Sequence, residues 1–289
     1  MGTRARKAQR LVAARAKTLE IARDRLVPTP RVSDGGLRLG TGGRFDNFFL
    51  WDTAFTVIWA RYLAEELPVA SSLDNLYRVR GADGFICREY SASGEPIWDS
   101  RHPIAFAPPL LTWAELSLFE VTADRERLAS VYPILAGHHR ACQRRYQAED
   151  GLYFGDALGC GMDNLPRCPR GWKPDGDGIP MRAEYVHENL HHLLEWLEGD
   201  SRFRWNRQGR WIDLSAQMAF DARLLGESAR LLGRDADADA FAAEHRQLGD
   251  LIHQKCWSPS AETYFDLAGT QHVERYHVGA YWTLIAGIV

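Results

Sequence analysis

Apolar residues recur at spacings of three and four over most of this chain, the pattern of helices that bury one face. Residues 4–26 carry Leu11, Arg15, Leu19 and Ala22 in that register, and Pro28 and Pro30 end the run. Over residues 48–67, Phe48, Trp51, Phe55, Ile58, Trp59 and Tyr62 form a broad apolar face with Asp52 inside it. A carboxylate there must face a polar cavity or find a partner, because burying it alone is costly. Pro108-Pro109 opens a helix over 110–121, and Asp124 is placed to cap another over 124–148. Helices over 213–232 and 235–257 are joined only by Gly233-Arg234, so they predict an antiparallel hairpin. Extended pieces are expected only around Tyr153 and Tyr264-Phe265. The pattern is that of an all-α chain built from successive helix pairs, without a solenoid repeat consensus.

Two loops interrupt the helices. Residues 35–43 are glycine-rich but lack the lysine of a phosphate-binding loop. Residues 168–178 form a long irregular stretch of the kind that is usually functional or mobile, and it would suit a lid. Just before it lies Gly159-Cys160-Gly161-Met162-Asp163-Asn164-Leu165-Pro166-Arg167, an acid in a glycine-flanked turn closed by proline. Loops on a rigid scaffold are where catalytic groups concentrate, although the local sequence also suits an Asx-turn or a helix cap.

Composition narrows the chemistry. The 289 residues are 45% hydrophobic and 25% charged, with a formal net charge of −3, so no basic field for nucleic acid exists. Cys87, Cys142, Cys160, Cys168 and Cys256 show no CxxC spacing and read as free thiols of a reducing compartment. Residues 1–26 lack the apolar core of a signal peptide, and the apolar run 280–289 is about half of what spans a bilayer. The expectation is a cytoplasmic protein without membrane or nucleic-acid partners, its oligomeric state open. Aromatic residues make up 11% of the chain, and such rings line sugar sites as well as cores.

His187-Glu188-Asn189-Leu190-His191 matches H-E-x-x-H, in which imidazoles one helical turn apart hold zinc and the glutamate acts as base. The third ligand of the extended motif is missing, and core or solvated histidines are the simpler reading. His138-His139 reads as a helix-surface pair. No G-x-S-x-G elbow and no Cys–His nucleophile motif occurs, which leaves acid–base chemistry by carboxylates.

Four motifs in order, Phe49-Leu50-Trp51-Asp52-Thr53-Ala54-Phe55, Gly84-Phe85-Ile86-Cys87-Arg88-Glu89, Gly161-Met162-Asp163-Asn164 with Pro166-Arg167, and Asp213-Leu214-Ser215-Ala216-Gln217-Met218, resemble glycoside hydrolase family 63. Its members include processing α-glucosidases and bacterial mannosylglycerate hydrolase-like enzymes, and family 37 trehalases are more distant. The resemblance implies an (α/α)6 toroid forming one domain over 1–289, and a hydrolase that inverts an α-glucoside or α-mannoside, such as a glycosylglycerate, without a cofactor or metal. It makes Asp163 the general acid, with Trp51, Asp52, Arg88, Glu89 and Asn164 as substrate-binding residues. Inversion needs a second carboxylate roughly 6.5–9.5 Å from the acid, with water between. The family carries that base late in the barrel, and no residue up to Val289 stands in the matching motif, so a C-terminally truncated barrel is expected. A zinc hydrolase using His187, Glu188 and His191, and a non-catalytic sugar-binding relative, are the alternatives.

Overall fold

The computed structural model describes residues 3–28, 36–42, 45, 47–101, 103–155, 161–162, 165 and 209–289. Helix α1 (Thr3–Arg23) leads into strand β1 (Leu26–Pro28), which pairs antiparallel with β2 (Leu37–Leu39). Strand β3 (Phe48–Phe49) pairs with β4 (Glu89–Tyr90), so that Phe49 lies opposite Glu89. Between these strands run α2 (Leu50–Ala60), continued by a 3-10 turn Arg61–Leu63, and α3 (Val69–Arg78). Then follow α4 (Leu111–Thr122), α5 (Arg125–Tyr146), β5 (Gly209–Arg210), α6 (Ile212–Leu232) and α7 (Asp235–Cys256). Strands β6 (Trp257–Ser258) and β7 (Thr263–Tyr264) form a hairpin. Strand β8 (Asp266–Ala268) lies between β5 and β9 (Gln271–Val273), and α8 (Trp282–Ala286) follows.

The helices form a toroid in which inner and outer members alternate. Helices α2, α4, α6 and α8 pack side by side, while α3 lies against α2 and α7 against α6. Helix α6 is central, and most of its residues are buried. Aromatic rings from the four inner helices close a circuit. Trp51 meets Phe55 at 4.8 Å, Phe55 meets Trp113 at 6.0 Å, Trp113 meets Phe220 at 5.3 Å, Phe220 meets Trp282 at 6.4 Å, and Trp282 returns to Trp51 at 5.9 Å. Most of these contacts are edge-on, the arrangement ring quadrupoles favour. The Trp282 indole N–H also reaches the Gln217 side-chain oxygen at 3.0 Å, with the Gln217 amide donating to the Asp213 carbonyl at 3.2 Å.

The turns follow from local chemistry. Gly233 takes the left-handed conformation at φ 73°, which lets its N–H and that of Arg234 return to the carbonyls of Arg230 and Ala229. At the α4–α5 turn, Asp124 accepts from the Arg127 N–H at 2.9 Å and caps α5. Asp124→Ala is expected to cost about 1 kcal/mol, read as a small fall in the thermal midpoint; no change would mean that water replaces the cap.

Four features depart from the sequence expectations. Phe48 and Phe49 are strand, not helix, because pairing with β4 competes locally with helix formation, and α2 begins only where the Leu50 N–H meets the Arg88 carbonyl at 2.9 Å. The same helix stops at Ala60, short of residue 67. Extended pieces are more numerous than expected, because among the described residues four small sheets pair segments that lie between the helices. His138 and His139 are not a surface pair, since both are buried. His139 Nδ1 donates to Asp221 at 2.7 Å and Nε2 to Glu244 at 2.6 Å, which joins α5 to α6 and α7. His138 Nδ1 accepts from the Ile86 N–H at 3.1 Å. A second buried network joins α3, α4 and α5, where Glu115 takes two hydrogen bonds from Arg127, at 2.7 and 2.9 Å, and one from the Tyr77 hydroxyl at 2.8 Å. Cys87, Cys142 and Cys256 are free and buried.

Candidate active site

The inner helices present their N-terminal ends to one face of the toroid, and the predicted site residues that are described gather there. The first turn of α2 carries Trp51 and Asp52. The β3–β4 pairing sets Arg88 and Glu89 beside that turn. Burial pushes the Asp52 carboxyl above its ordinary value, against the opposing pull of its own backbone N–H and the Arg88 charge.

Glu89 is almost fully buried. One of its oxygens accepts from Asn47 Nδ2 at 2.8 Å and the other from Trp98 Nε1 at 2.7 Å. It therefore braces the site from within, not as a side chain standing open to solvent. The Arg88 guanidinium lies over the Trp98 ring, 5.0 Å from its centroid. Trp98 thus orders both residues of the pair. Neither Asn47 nor Trp98 stood out in the sequence, because each acts through a contact that no spacing rule encodes.

The turn that precedes Asp163 rests on α2. Gly161 has φ +72°, and a Cβ there would come within 2.7 Å of Trp51 Cδ2, so only glycine fits this approach. One part of the Trp51 ring is thereby covered by the chain itself. Leu165 stands at the other end of the turn, its N–H bonded to the Met162 carbonyl at 3.3 Å and its Cδ1 beside Gly279. Asp163 and Asn164 lie outside the described residues, as do His187, Glu188, His191, Cys160, Cys168 and residues 168–178. Gly161→Ala is expected to destabilise by about 1–3 kcal/mol, through the left-handed backbone and the overlap with Trp51. Urea denaturation checks this, and an unchanged midpoint would show that the turn does not bear on Trp51.

A further element of the site escaped sequence reading. Asp266 on β8 is fully buried and accepts from the Ile212 N–H at 2.7 Å, so it caps the N-terminus of α6 from outside the helix. Its second oxygen accepts from His277 Nε2 at 3.0 Å. His277 Nδ1 is buried with no hydrogen-bond partner among the described residues, next to Gly279 and Leu165. Trp211, which precedes α6, donates its indole N–H to the Gly155 carbonyl at 2.5 Å and so ties the segment after α5 to the start of α6. Among the described residues no cluster of His, Cys, Asp and Glu could hold a metal ion, and no helix is long and apolar enough to cross a membrane.

A helical toroid with carboxylates, an arginine and tryptophans collected at the inner-helix N-termini is the architecture of toroidal glycoside hydrolases. Residues 46–288 match the mannosylglycerate hydrolase MGH1-like glycoside hydrolase domain, and the chain belongs to that family, as its motifs led one to expect. Among solved structures, the GH63 mannosylglycerate hydrolase from Thermus thermophilus in complex with glucose aligns with TM-score 0.65 and 18% identity, over 95% of this chain and 73% of its own. An uncharacterised conserved protein from the same organism aligns with TM-score 0.61 and 21% identity, over 84% and 66%. The neutral trehalase of Saccharomyces cerevisiae aligns with TM-score 0.56 and 15% identity, over 88% and 54%. At these identities the likeness is one of fold. An uncharacterised protein of Borreliella burgdorferi is 24% identical over 133 residues, which is 46% of this chain and 28% of that protein. The chain thus spans only part of the length of the proteins it matches.

Proposed function

We propose that this protein hydrolyses an α-glucoside or α-mannoside with inversion, a small glycoside such as a glycosylglycerate being the best fit, with Asp163 as general acid. The observation that carries the reading is the seating of Gly161 on Trp51, which joins the turn preceding Asp163 to the Asp52–Arg88 cluster. In this reading Asp52 and Arg88 take the sugar hydroxyls, Trp51 meets the C–H face of the ring with its uncovered part, and Asn164 stands beside the acid. Glu89 contributes through Asn47, Trp98 and Arg88, whose positions it fixes. The mannosylglycerate hydrolase and trehalase likenesses support a small-sugar substrate. Inversion calls for a second carboxylate that activates water on the far face of the sugar.

The test is to incubate the protein with a panel of α-glucosides and α-mannosides, glucosyl- and mannosylglycerate among them, and to follow the first-formed anomer by proton NMR. Initial release of the β-anomer from an α-linked substrate supports inversion. Initial release of the α-anomer would overturn the mechanism, and zinc-dependent turnover abolished by chelator would overturn the carboxylate chemistry altogether.

A further inference from the structure

A cavity of about 670 Å³ opens between the C-terminal ends of α3 and α5 and the segment of residues 83–100. Neither Arg88 nor Glu89 lines it, but Trp98, which contacts both, does. We propose that this cavity is a second binding site, for a neutral polyhydroxylated ligand such as a sugar or sugar alcohol.

Size is the first argument. The volume falls in the range of small-molecule sites, roughly 300–1,000 Å³, and a mono- or disaccharide fits within it. Charge balance is the second. Asp83 is answered by Arg145, whose Nη2 donates at 2.7 Å, and Asp99 is answered by Arg101, whose Nε donates at 2.8 Å. Asp83 and Asp99 are thus matched by guanidinium groups, and the third lining carboxylate, Glu95, stands exposed at the rim, so the inner wall offers neither a strong cation nor a strong anion an unmet counter-charge. Burial would raise the Asp83 carboxyl, yet the hydrogen bonds from Arg145 and from the Phe85 N–H outweigh it and hold the group below its ordinary value. Asp83 therefore stays an ionised acceptor.

The third argument is the array of groups that such matched pairs present. A carboxylate can accept about four hydrogen bonds, and an arginine can donate five. Arg145 directs Nε and Nη2 to Asp83 and Nη1 to the Ser100 carbonyl, and this fixes its plane against the Phe85 ring, 5.1 Å from the centroid. A fixed plane of donors and acceptors suits the vicinal hydroxyls of a sugar and costs little ordering on binding. Phe85 and Trp98 back the cavity with apolar surface. Trp98 is also the residue that orders Glu89 and Arg88, so the cavity and the candidate active site share a wall.

The experiment follows the Trp98 indole N–H by NMR, assigned through Trp98→Phe, during titration of the whole protein with D-glucose and with α,α-trehalose. A saturable shift is expected at about 1–10 mM, the weak range of small ligands. The shift should persist in Asp52→Ala. It should weaken at least about tenfold in Glu95→Trp, an exposed rim position from which an indole blocks the cavity, and in Arg145→Gln. Glu95 lies at the surface, so Glu95→Trp keeps the test valid if Arg145→Gln loosens the fold. The absence of a saturable shift would overturn the proposal, as would a shift lost in Asp52→Ala and untouched in Glu95→Trp. Competition by inorganic phosphate or by choline would overturn the neutral-ligand class. Glycoside hydrolysis can fail in the panel assay while this binding persists, so the two readings stand or fall separately.

Discussion

Asp163→Asn is expected to lower turnover of an ordinary α-glycoside by about 10²–10⁴-fold while leaving the affinity for substrate nearly unchanged. That range is what a positioned general acid contributes, and asparagine keeps the size and polarity of the side chain while removing its proton. The leaving group gives a sharper discriminator than the rate alone. A glycosyl fluoride departs without protonation, so the same variant should hydrolyse it within about tenfold of the wild-type rate, since only the acid's share of catalysis is lost. Asp52→Asn is expected to behave differently, raising KM and slowing both substrates together, because a residue that holds hydroxyls serves every leaving group. If Asp163→Asn cleaved ordinary glycosides at a near-normal rate, or lost fluoride and glycoside hydrolysis equally, the acid assignment would fall.

How much of this could be read from the chain depends on the distance over which each feature is decided. The α6–α7 hairpin is written locally, in the apolar stripe of each helix and in Gly233, and it forms as expected. The cap at Asp124 is equally local. The β3–β4 pair joins residues forty apart, and nothing within Phe48-Phe49 says that a partner strand will claim them from the helix. His138 and His139 sit in a polar stretch that looks solvated, yet the partners of His139 lie 82 and 105 residues away. The candidate site divides the same way. Trp51, Asp52, Arg88 and Glu89 were visible as motif residues, but the brace from Asn47 and Trp98 and the Asp266–His277 link exist only in three dimensions. Glu89 shows the limit most clearly, since the motif picks the residue out while the fold turns both of its oxygens inward.

The largest effect on stability is expected at His139. Its side chain is fully buried, and burial alone would favour the neutral imidazole. The hydrogen bonds from its two ring nitrogens to Asp221 and Glu244 outweigh that penalty and push it up to about 9. Its neighbour His138 has the opposite fate, driven down to about 3 by burial and by the charge of His139. His139→Ala leaves Asp221 buried without its cation, while Glu244 keeps Arg140 and Gln143. Breaking such a buried pair from one side costs about 3–5 kcal/mol, a large share of a typical domain's stability. Replacing both His139 and Asp221 by leucine should recover part of that loss, since an apolar pair removes the orphaned charge. The pH dependence separates an ionic role from mere packing. A histidine raised in the folded state binds its proton more tightly there than in the unfolded chain. Its contribution is therefore full below about pH 6.5 and fades as the pH rises through about 9. Urea midpoints of the wild type should fall across that window by an amount on the order of 3 kcal/mol, and the fall should be absent in the double-leucine variant. Asp221 contributes in the same direction, because burial raises its carboxyl, though over a more acidic window that begins at the ordinary aspartate value. Glu244, held below its ordinary value once its hydrogen bonds from His139 and Arg140 outweigh burial, adds stability above the usual carboxylate range and loses it in acid. A wild-type midpoint that stayed level from pH 6.5 to 9, or a His139→Ala loss below about 1 kcal/mol, would show that this imidazole is neutral and that the three helices are held by packing alone.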